Sequence, residues 1–313
     1  MFRLRPIKPK AVISVQFLRA ADSVLVFLTL AAFAIGGTTA LAGLMRLPDL
    51  LAPSAASPEK TALLPLSLSR QGTTRKVPAV ARKPAVAIVI DDLGQERTGT
   101  EQAMALPRAV ALSFLSFAEA TPSLSASAAQ HGHEVLVHMP MESISGKDAG
   151  PGALTIDLPR AEVQRRLAWA LGRVPRAIGL NNHEGSRFTS DAEALVPVAE
   201  ILKERGLFFF DSRTAATTQV VSVAKSVGVA SAERDVFLDD TVSREAVARQ
   251  LRALEQKARA QGVAIAIGHP HAVTLEALQA WTHDVEKRGF ELVPLREAMR
   301  LKMEREPATA SQR

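Results

Sequence analysis

Short apolar runs that recur from residue 85 onward constrain the fold of this chain more than any other feature. Each is apolar on both faces of an extended segment, which is typical of strands buried in a parallel sheet. The seven runs are Val86–Ile90, Val110–Phe114, Glu134–His138, Ala177–Leu180, Leu207–Asp211, Val263–Gly268 and Phe290–Val293. The sequence predicts a strand at each of them.

Amphipathic segments with a helical period lie between these runs. Proline or serine precedes several of them and glycine follows, as at the starts and stops of helices. They are Ser123–Gln130, Arg160–Leu171, Ala192–Arg205, Arg244–Ala260 and Leu275–Arg288. The alternation predicts a parallel sheet covered by helices. Because no change of composition divides this stretch, a closed or nearly closed barrel is favoured over two domains.

The chain before residue 85 differs in composition and divides into three parts. Residues 1–22 form a basic arm, with five lysines and arginines and no acid before Asp22. Residues 23–45 are uncharged and mostly apolar, and at about 1.5 Å per residue they span the roughly 30 Å of a bilayer's hydrocarbon layer. They predict a single transmembrane helix. Residues 46–84 contain six prolines and predict an extended linker.

The basic arm predicts the orientation of that helix. Positive residues stay on the cytoplasmic side, so we expect a single-pass protein of the inner membrane with its folded domain in the periplasm. A cleavable signal peptide is the alternative, because Ala40-Leu41-Ala42 permits cleavage. The apolar stretch is, however, longer than the core of about 7–15 residues that signal peptides have. At the other end, residues 303–313 are expected to form a disordered tail.

Two features of the composition exclude whole classes of function. The chain has no cysteine, so disulfides, thiolate metal ligands and cysteine nucleophiles are absent. The formal net charge is +6, but aromatic residues are not interleaved with the basic ones as they are in nucleic-acid-binding modules. We therefore expect no nucleic-acid partner.

Ionisable and amide side chains cluster at the carboxyl ends of the predicted strands. Asp91 and Asp92 close the first run, and later runs are followed by His138, Asn182, His183, Asp211 and His269. Sites in parallel α/β sheets form at this edge, where side chains from separate strands converge. A lone Asp-Asp pair also fits one residue that caps a loop and one that is solvated. The later polar residues at the other strand ends favour a catalytic or metal-binding role for the pair.

His138 and Glu142 are four residues apart after the third run, and they share a face if one helical turn follows. Imidazole and carboxylate together suit a divalent metal such as Zn²⁺, which keeps one position open for water in catalytic sites. The spacing alone is a weak signal, because a hydrogen-bonded structural histidine has the same pattern.

Five motifs in order carry a resemblance to a known family. They are Ile90-Asp91-Asp92-Leu93-Gly94, the segments from Gly132 to Glu142 and from Asn181 to Thr189, Asp211-Ser212-Arg213-Thr214, and the segment from Ala266 to Pro270. With these motifs, the chain from about residue 85 to 300 resembles the divergent polysaccharide deacetylases, a branch of the carbohydrate esterase deacetylases. The resemblance implies a distorted (β/α)7-type barrel with surrounding helices and a catalytic domain over residues 85–302.

The resemblance also implies roles for four residues. Asp91 lies where the catalytic base is expected, Asp92 and His138 where metal ligands are expected, and His269 where the acid histidine is expected. The implied reaction is metal-assisted hydrolysis of an N-acetyl group. Asp91 takes a proton from water in this reaction, and His269 protonates the departing amine.

Glu142 departs from the family pattern, because it stands where a second metal histidine is expected. His183, at another strand end, restores a set of two imidazoles and one carboxylate. The predicted metal ligands are therefore Asp92, His138 and His183, with Glu142 as a fourth ligand or behind the other three. The predicted cofactor is a divalent metal, Zn²⁺.

Four further residues near the strand ends are predicted to bind the substrate: Asn182, Arg187, Asp211 and Arg213. The arginines offer a fork of donors to substrate oxygens. A local ion pair between Asp211 and Arg213 and a turn at Asn181-Asn182 fit the sequence equally well.

The expected function is that of a metal-dependent hydrolase that removes N-acetyl groups from an amino-sugar polymer or oligosaccharide of the cell envelope. The alternative is a catalytically reduced protein of the same fold that serves as an envelope binding or scaffold component, which the departure at Glu142 favours. Several ionisable groups at one mouth oppose the alternative, because buried charges cost stability unless they are paired.

Overall fold

The computed structural model describes residues 82–310. The predicted basic arm (1–22), the predicted transmembrane helix (23–45) and nearly all of the predicted linker (46–84) lie outside the described residues and stay predictions. Within residues 82–310, no helix combines the length and the apolar character that crossing a membrane requires.

Strands and helices alternate through the described residues. The strands are β1 (Ala85–Leu93), β2 (Ala111–Leu115), β3 (Val135–Met141), β4 (Gly179–Glu184), β5 (Phe208–Asp211), β6 (Ser231–Glu233), β7 (Val236–Phe237), β8 (Val263–Gly268) and β9 (Glu291–Leu292). The helices are α1 (Arg97–Met104), α2 (Thr121–Gln130), α3 (Arg160–Arg173), α4 (Ala192–Glu204), α5 (Val220–Val227), α6 (Arg244–Gln261), α7 (Ala272–Asp284) and α8 (Leu295–Ala310), and a 3₁₀ turn covers Phe188–Ser190.

Local sequence explains where the longest predicted helix begins and ends. The hydroxyl of Ser243 accepts a hydrogen bond from the backbone N–H of Ala246 at 3.2 Å and caps α6. Gly262 ends the helix with a φ of 78°, in the left-handed region that glycine adopts without steric cost. The predicted start and stop of this helix are confirmed.

All strand pairs are parallel, and the sheet order is β6-β5-β4-β3-β2-β1-β8-β7, with β9 beside the start of β1. Only Arg234 and Asp235 separate β6 from β7. The N–H of Arg234 donates to Asp211 O of β5 at 3.1 Å, and that of Asp235 donates to Ile265 O of β8 at 2.8 Å. One segment thus forms both ends of the sheet order, so the sheet curls back on itself. This confirms a parallel α/β sheet that curls into a half-barrel with surrounding helices.

The predicted strands differ from the observed ones in two places. The segment from β6 to β7 was missed because each strand is short and Arg234-Asp235 interrupts the apolar pattern. The predicted seventh strand, Phe290–Val293, is only the short β9 beside β1. In addition, β4 continues to Glu184, past the predicted end at Leu180, because polar residues extend the pairing with β3.

Three helices were also not predicted: α1, α5 and α8. The last of these runs to Ala310, so the tail predicted to begin at residue 303 is instead helical up to that point. Its sequence from Leu301 to Arg305 consists of strong helix formers, which favour a helix over a disordered tail.

Alternate residues of the strands belong to two separate apolar cores. In β1, Val86, Ile88 and Ile90 pack against the outer helices, whereas Ala85 and Val89 face the barrel interior. Side chains from α8 close the amino-terminal end of that interior: Leu295, Ala298, Met299 and Leu301. The strand period of two therefore separates an outer layer from a barrel core that is filled at one end.

Candidate active site

The inward-facing positions of the barrel change from apolar to polar toward the carboxyl ends of the strands. In β1 the inward series passes from Val89 to Asp91. The same series ends with His138 in β3, includes Asn181 in β4 and continues to His269 just after β8. Asp91, His138 and His269 line one cavity of about 530 Å³. The strand period therefore brings residues from distant parts of the chain to one rim.

Asp92 enters the same cavity by a different route. Its φ is 58°, in the left-handed region that non-glycine residues seldom adopt. The pairing of β1 with β2 shifts register between Ile90 and Leu93. This bulge reverses the alternation, so that Asp91 and Asp92 both line the cavity and Leu93 packs into the outer core. Strained backbone of this kind concentrates at functional sites.

In the described part of the chain, one group of side chains is close enough to share a metal ion, and it comprises Asp92, His138 and His183. Asp92 Oδ1 lies 3.1 Å from His138 Nε2 and 2.8 Å from His183 Nδ1. The two ring nitrogens are 3.2 Å apart. Burial acts to raise the pKa of Asp92, but its contacts with the two histidines outweigh this effect and lower the pKa. The structure thus brings together three of the four predicted metal ligands.

The geometry of this group fits a divalent metal. Asp92 Oδ1 is buried and makes no hydrogen bond of acceptable geometry, although two imidazole nitrogens face it. Ligand atoms about 2.1 Å from a tetrahedral metal are about 3.4 Å from one another, which is close to the observed separations of 2.8, 3.1 and 3.2 Å. One carboxylate and two imidazoles are a ligand set of catalytic zinc sites, with a further position open to water.

Asn181 connects the predicted base to the predicted metal ligands. Its Nδ2 donates to both carboxylate oxygens of Asp91, at 2.9 and 3.0 Å, and its Oδ1 lies 2.9 Å from His138 Nδ1. Because an amide oxygen only accepts, His138 carries its proton on Nδ1 and leaves the Nε2 lone pair for a metal. The sequence predicts only a turn here, since the apolar pattern of the strand stops at Leu180. Because side chains alternate along a strand, an extension of β4 past Leu180 would have placed Asn181 on the inward face, and this alternation was the available signal.

Asp91 is a buried carboxylate beside the metal-ligand group. Burial raises the pKa of Asp91, and the nearby His138 and His269 together with the Asn181 hydrogen bond offset part of the rise. Its Oδ2 lies 3.8 Å from His138 Nε2. A carboxylate with a raised pKa at the wall of a cavity accepts a proton more readily than a solvated one.

His269 is held by a second carboxylate on the opposite side. Its Nδ1 lies 2.9 Å from Asp239 Oδ1, and Asp239 Oδ2 accepts the backbone N–H of His269 at 2.7 Å and the hydroxyl of Thr274 at 2.8 Å. Because a carboxylate only accepts, Nδ1 is the donor and Nε2 is left toward Asp92, 4.0 Å from its Oδ2. Burial acts to lower the pKa of His269, but the bond to Asp239 and the charge of Asp91 outweigh it and raise the pKa to about 9.

Asp239 was missed from the sequence, although a signal was present. The run Val236-Phe237-Leu238-Asp239-Asp240 repeats the pattern of Ile88-Val89-Ile90-Asp91-Asp92, in which two aspartates close an apolar run. Its strand, β7, has only two residues, which is too short for periodicity to reveal it.

Glu142, the fourth predicted metal ligand, lies outside the group. Its Oε2 accepts the backbone N–H of Ile156 and its Oε1 pairs with Arg187 Nη1, both at 3.0 Å. The chain stays extended through Met141, so no helical turn brings Glu142 back to the face of His138. In this structure Glu142 is therefore not among the side chains close enough to share an ion. Arg187 joins the segment after β4 to Glu142, and its role in binding substrate stays a prediction.

The other predicted substrate-binding residues divide into two kinds. Asn182 and Arg213 line the cavity. Asp211 is buried instead, where it accepts the backbone N–H of Arg213 at 2.7 Å. The guanidinium of Arg213 lies 3.5 Å from Glu233, so the local ion pair considered from the sequence is replaced by this contact. Asn182 Oδ1 accepts the backbone N–H of Ser212 at 2.9 Å and thus also shapes the loop after β5.

A family model and two curated proteins match this chain. The sequence model of the family described as divergent polysaccharide deacetylase matches residues 88–299. The uncharacterized protein YibQ of Escherichia coli K12 is 35% identical over 208 residues, which are 66% of this chain and 65% of YibQ. An uncharacterized protein of Haemophilus influenzae Rd is 37% identical over 195 residues, which are 62% of this chain and 70% of that protein. The chain thus spans about two thirds of the length of these relatives.

A solved structure shares the fold. The crystal structure of an uncharacterized protein from Agrobacterium tumefaciens C58 has a TM-score of 0.67 and 30% sequence identity, and the alignment covers 69% of this chain and 89% of that chain. The barrel that carries the cavity is therefore an architecture already seen in a crystal.

Proposed function

The chain belongs to the divergent polysaccharide deacetylase family, and we propose that it is a metal-dependent hydrolase that removes N-acetyl groups from an amino-sugar polymer or oligosaccharide. Deacetylases of this kind break C–N bonds outside peptides. One observation carries the proposal: Asp92, His138 and His183 converge to within 3.2 Å of one another beside a buried carboxylate.

Asp92, His138 and His183 are the residues that would hold the divalent metal, for which Zn²⁺ is the proposed identity. A metal held there would act as a Lewis acid toward the acetyl oxygen and would lower the pKa of a water bound to it toward about 7. Asn181 keeps the proton of His138 on Nδ1, so that Nε2 is free to bind a metal. Ligands held in one tautomer by such outer contacts bind metal more tightly.

Asp91 is the proposed general base. Its carboxylate is fixed by both hydrogen bonds from Asn181 Nδ2, so it is oriented before a substrate binds. Burial raises its pKa, which increases its driving force for taking a proton from the attacking water. An aspartate free to rotate in solvent would lack both advantages.

His269 is the proposed general acid. Asp239 holds its Nδ1 and leaves Nε2 toward the cavity, where the amine of the product would depart. Burial acts to lower the pKa of His269, but the bond to Asp239 and the charge of Asp91 raise it and favour the protonated imidazole. It can therefore deliver a proton to the departing nitrogen as the C–N bond breaks.

The scaffold alternative rests on Glu142, which stands where the family pattern has a metal histidine. The position of His183 beside Asp92 and His138 supports the hydrolase, because it offers a second imidazole to the group. A barrel with only a scaffolding role has no physical need for a buried carboxylate oxygen without a hydrogen bond.

The test is a pair of measurements on the purified full chain. Metal content is determined by elemental analysis, and acetate release is followed with N-acetylglucosamine oligosaccharides. We expect close to one equivalent of divalent metal, and we expect Asp91→Asn to keep it while turnover falls by a factor of about 10³ or more, since a positioned base contributes about 10² to 10⁴.

Asp284→Asn is the matched control, because the half-exposed side chain of Asp284 pairs with Lys287 on the surface. It should change neither reading. Absence of bound metal from the unaltered chain, or full activity in the Asp91 variant, would contradict the proposed mechanism. Loss of metal in that variant would instead make Asp91 a ligand.

A further inference from the structure

Arg234 is a cationic residue of the cavity that plays no part in the proposed reaction. It lies between β6 and β7 and lines the same cavity as the metal-ligand group. Its Nε donates to Ser212 O at 2.5 Å and its Nη2 donates to Arg213 O at 3.1 Å. The guanidinium carbon also lies 4.8 Å from the centre of the Phe237 ring. The side chain is therefore fixed in place before any ligand arrives.

These contacts leave one edge of the guanidinium available. Nε and Nη2 form one edge, and two consecutive carbonyls occupy it. The other edge, formed by Nη1 and the second hydrogen of Nη2, is a fork that matches two oxygens of a carboxylate or phosphate. Among the residues that the structure describes, no carboxylate lies within 4.0 Å of this guanidinium. Its direct contacts are thus two neutral carbonyls and an aromatic ring, and the charges of Asp91, Asp211 and Asp240 act on it only from beyond 4.0 Å.

A half-buried cation without a carboxylate partner costs stability, so its retention requires an explanation. Burial lowers the pKa of Arg234 and the neighbouring Arg213 adds to this effect, whereas the charges of Asp211, Asp91 and Asp240 offset part of it. Arg213 itself holds a strained φ of 52° and also lines the cavity. Two guanidinium groups therefore lie on one wall of the cavity, and only one of them has an acidic partner, Glu233 at 3.5 Å.

We infer that Arg234, with Arg213 beside it, forms an anion subsite in the catalytic cavity, and that the substrate is an N-acetylated sugar with a carboxylate or phosphate near its acetamide group. The inference rests on the proposed function, because it assigns a substrate class to that same site. The subsite would orient the sugar by a fixed fork on one wall while the acetamide faces Asp92, His138 and His183. A neutral sugar would leave that fork empty.

The test compares acidic and neutral probes at equilibrium. Binding to the full chain in the Asp91→Asn background, which prevents consumption of the probe, is measured by calorimetry. The probes are N-acetylmuramic acid, its methyl ester and N-acetylglucosamine 1-phosphate, because the lactyl group on O3 and a phosphate on C1 both lie next to the acetamide on C2. We expect at least one acidic probe to bind roughly 10- to 100-fold more tightly than the ester, as charge-assisted forked hydrogen bonds allow.

Arg234→Gln should remove this preference, and Arg234→Lys should retain part of it, because lysine keeps the charge but not the fork. Arg244→Gln is the matched control; Arg244 pairs with Glu276 on the exposed surface and its loss should leave the preference intact. The comparison of acid with ester on the unaltered Arg234 stands even if the glutamine variant fails to fold.

The outcomes separate the subsite from the reaction. Preference for the acid or for the phosphate supports the subsite and identifies which oxyanion it takes. Equal binding of all three probes would overturn the subsite, and acetate release from neutral oligosaccharides by the native chain would then leave the deacetylase proposal standing. Preference for an acid that depends on Arg234, without acetate release from any probe, would overturn the proposed reaction.

Discussion

The two ends of the barrel interior are formed by the same strands, and the side chains at both ends point inward. The two ends nevertheless differ in chemistry. At the amino-terminal end the inward residues are apolar, such as Ala85 and Ile265, and they pack against Met299 of α8. At the carboxyl-terminal end the same inward series carries Asp91 and His138. The change occurs within two residues along β1, from Val89 to Asp91.

This difference shows that one end stabilises the fold and the other end is arranged to bind a ligand. Burial of the apolar end stabilises the fold, at roughly 25 cal/mol per Å² of apolar surface. Each buried polar group at the other end costs free energy of unfolding unless it is hydrogen-bonded. Most of them are paired through Asn181 or Asp239, but Asp92 Oδ1 is not. The stability contributed by the apolar end offsets the cost of a rim whose polar side chains are arranged for a ligand.

The largest expected effect is the loss of activity on removal of a metal ligand from the rim. His138→Ala should lower turnover by a factor of at least about 10³ and reduce bound metal well below one equivalent, because no other described side chain replaces Nε2 in the group. Metal content and acetate release are measured on the same preparation.

The control for this variant is His131→Ala, since His131 lies at the exposed end of α2. It should keep both metal and activity. If His138→Ala retained a full equivalent of metal, the rim would not be a metal site at that residue, and the contrast between the two ends would have another cause.

A second prediction addresses the filled end. Ile265→Ala should lower the free energy of unfolding by about 2–5 kcal/mol, because Ile265 is fully buried and its truncation removes apolar contact and leaves a cavity. Denaturant unfolding measures the change. Metal content should stay at its original value, since the side chain does not touch the ligand group. Ile144→Ala, at a position that is 68% exposed, should change the free energy by less than about 0.5 kcal/mol.

A third prediction concerns the residue that orients the proposed acid. Asp239→Asn should lower kcat by about 10- to 100-fold, because carboxylate partners of a working histidine contribute at this level. KM and metal content should hardly change, as Asp239 contacts His269 rather than the ligand group. Asp157→Asn, at an exposed position, serves as the control. A fall in metal content equal to the fall in kcat would assign Asp239 a structural role instead.

The sequence predicts the site residues at the rim better than it predicts the residues that hydrogen-bond to them. Asp91, Asp92, His138 and His269 were found because each ends a clear apolar run, and parallel strands bring such ends together. Asn181 and Asp239 were not found, since one lies in a polar extension of its strand and the other follows a strand of two residues. Period-two patterns reveal strands through apolar residues, so they lose sight of a strand at the point where its inward residues become polar.

The smallest expected effect distinguishes the two residues that the sequence offered for the last metal position. Glu142→Gln should keep the full equivalent of metal, because Glu142 contacts the Ile156 N–H and Arg187 rather than the ligand group. Stability should fall by about 1 kcal/mol, because glutamine keeps an oxygen for the Ile156 N–H and only the ion pair with the half-exposed Arg187 is lost. His183→Gln is the matched change and should lose most of the metal, since His183 Nδ1 lies 2.8 Å from Asp92 Oδ1. The reverse result would be loss of metal from the Glu142 variant and retention of metal by the His183 variant. The metal site would then not include the inward-facing residues of β4. In that case the inward direction of the strand residues would not explain metal binding, and the contrast between the two ends would lose its basis.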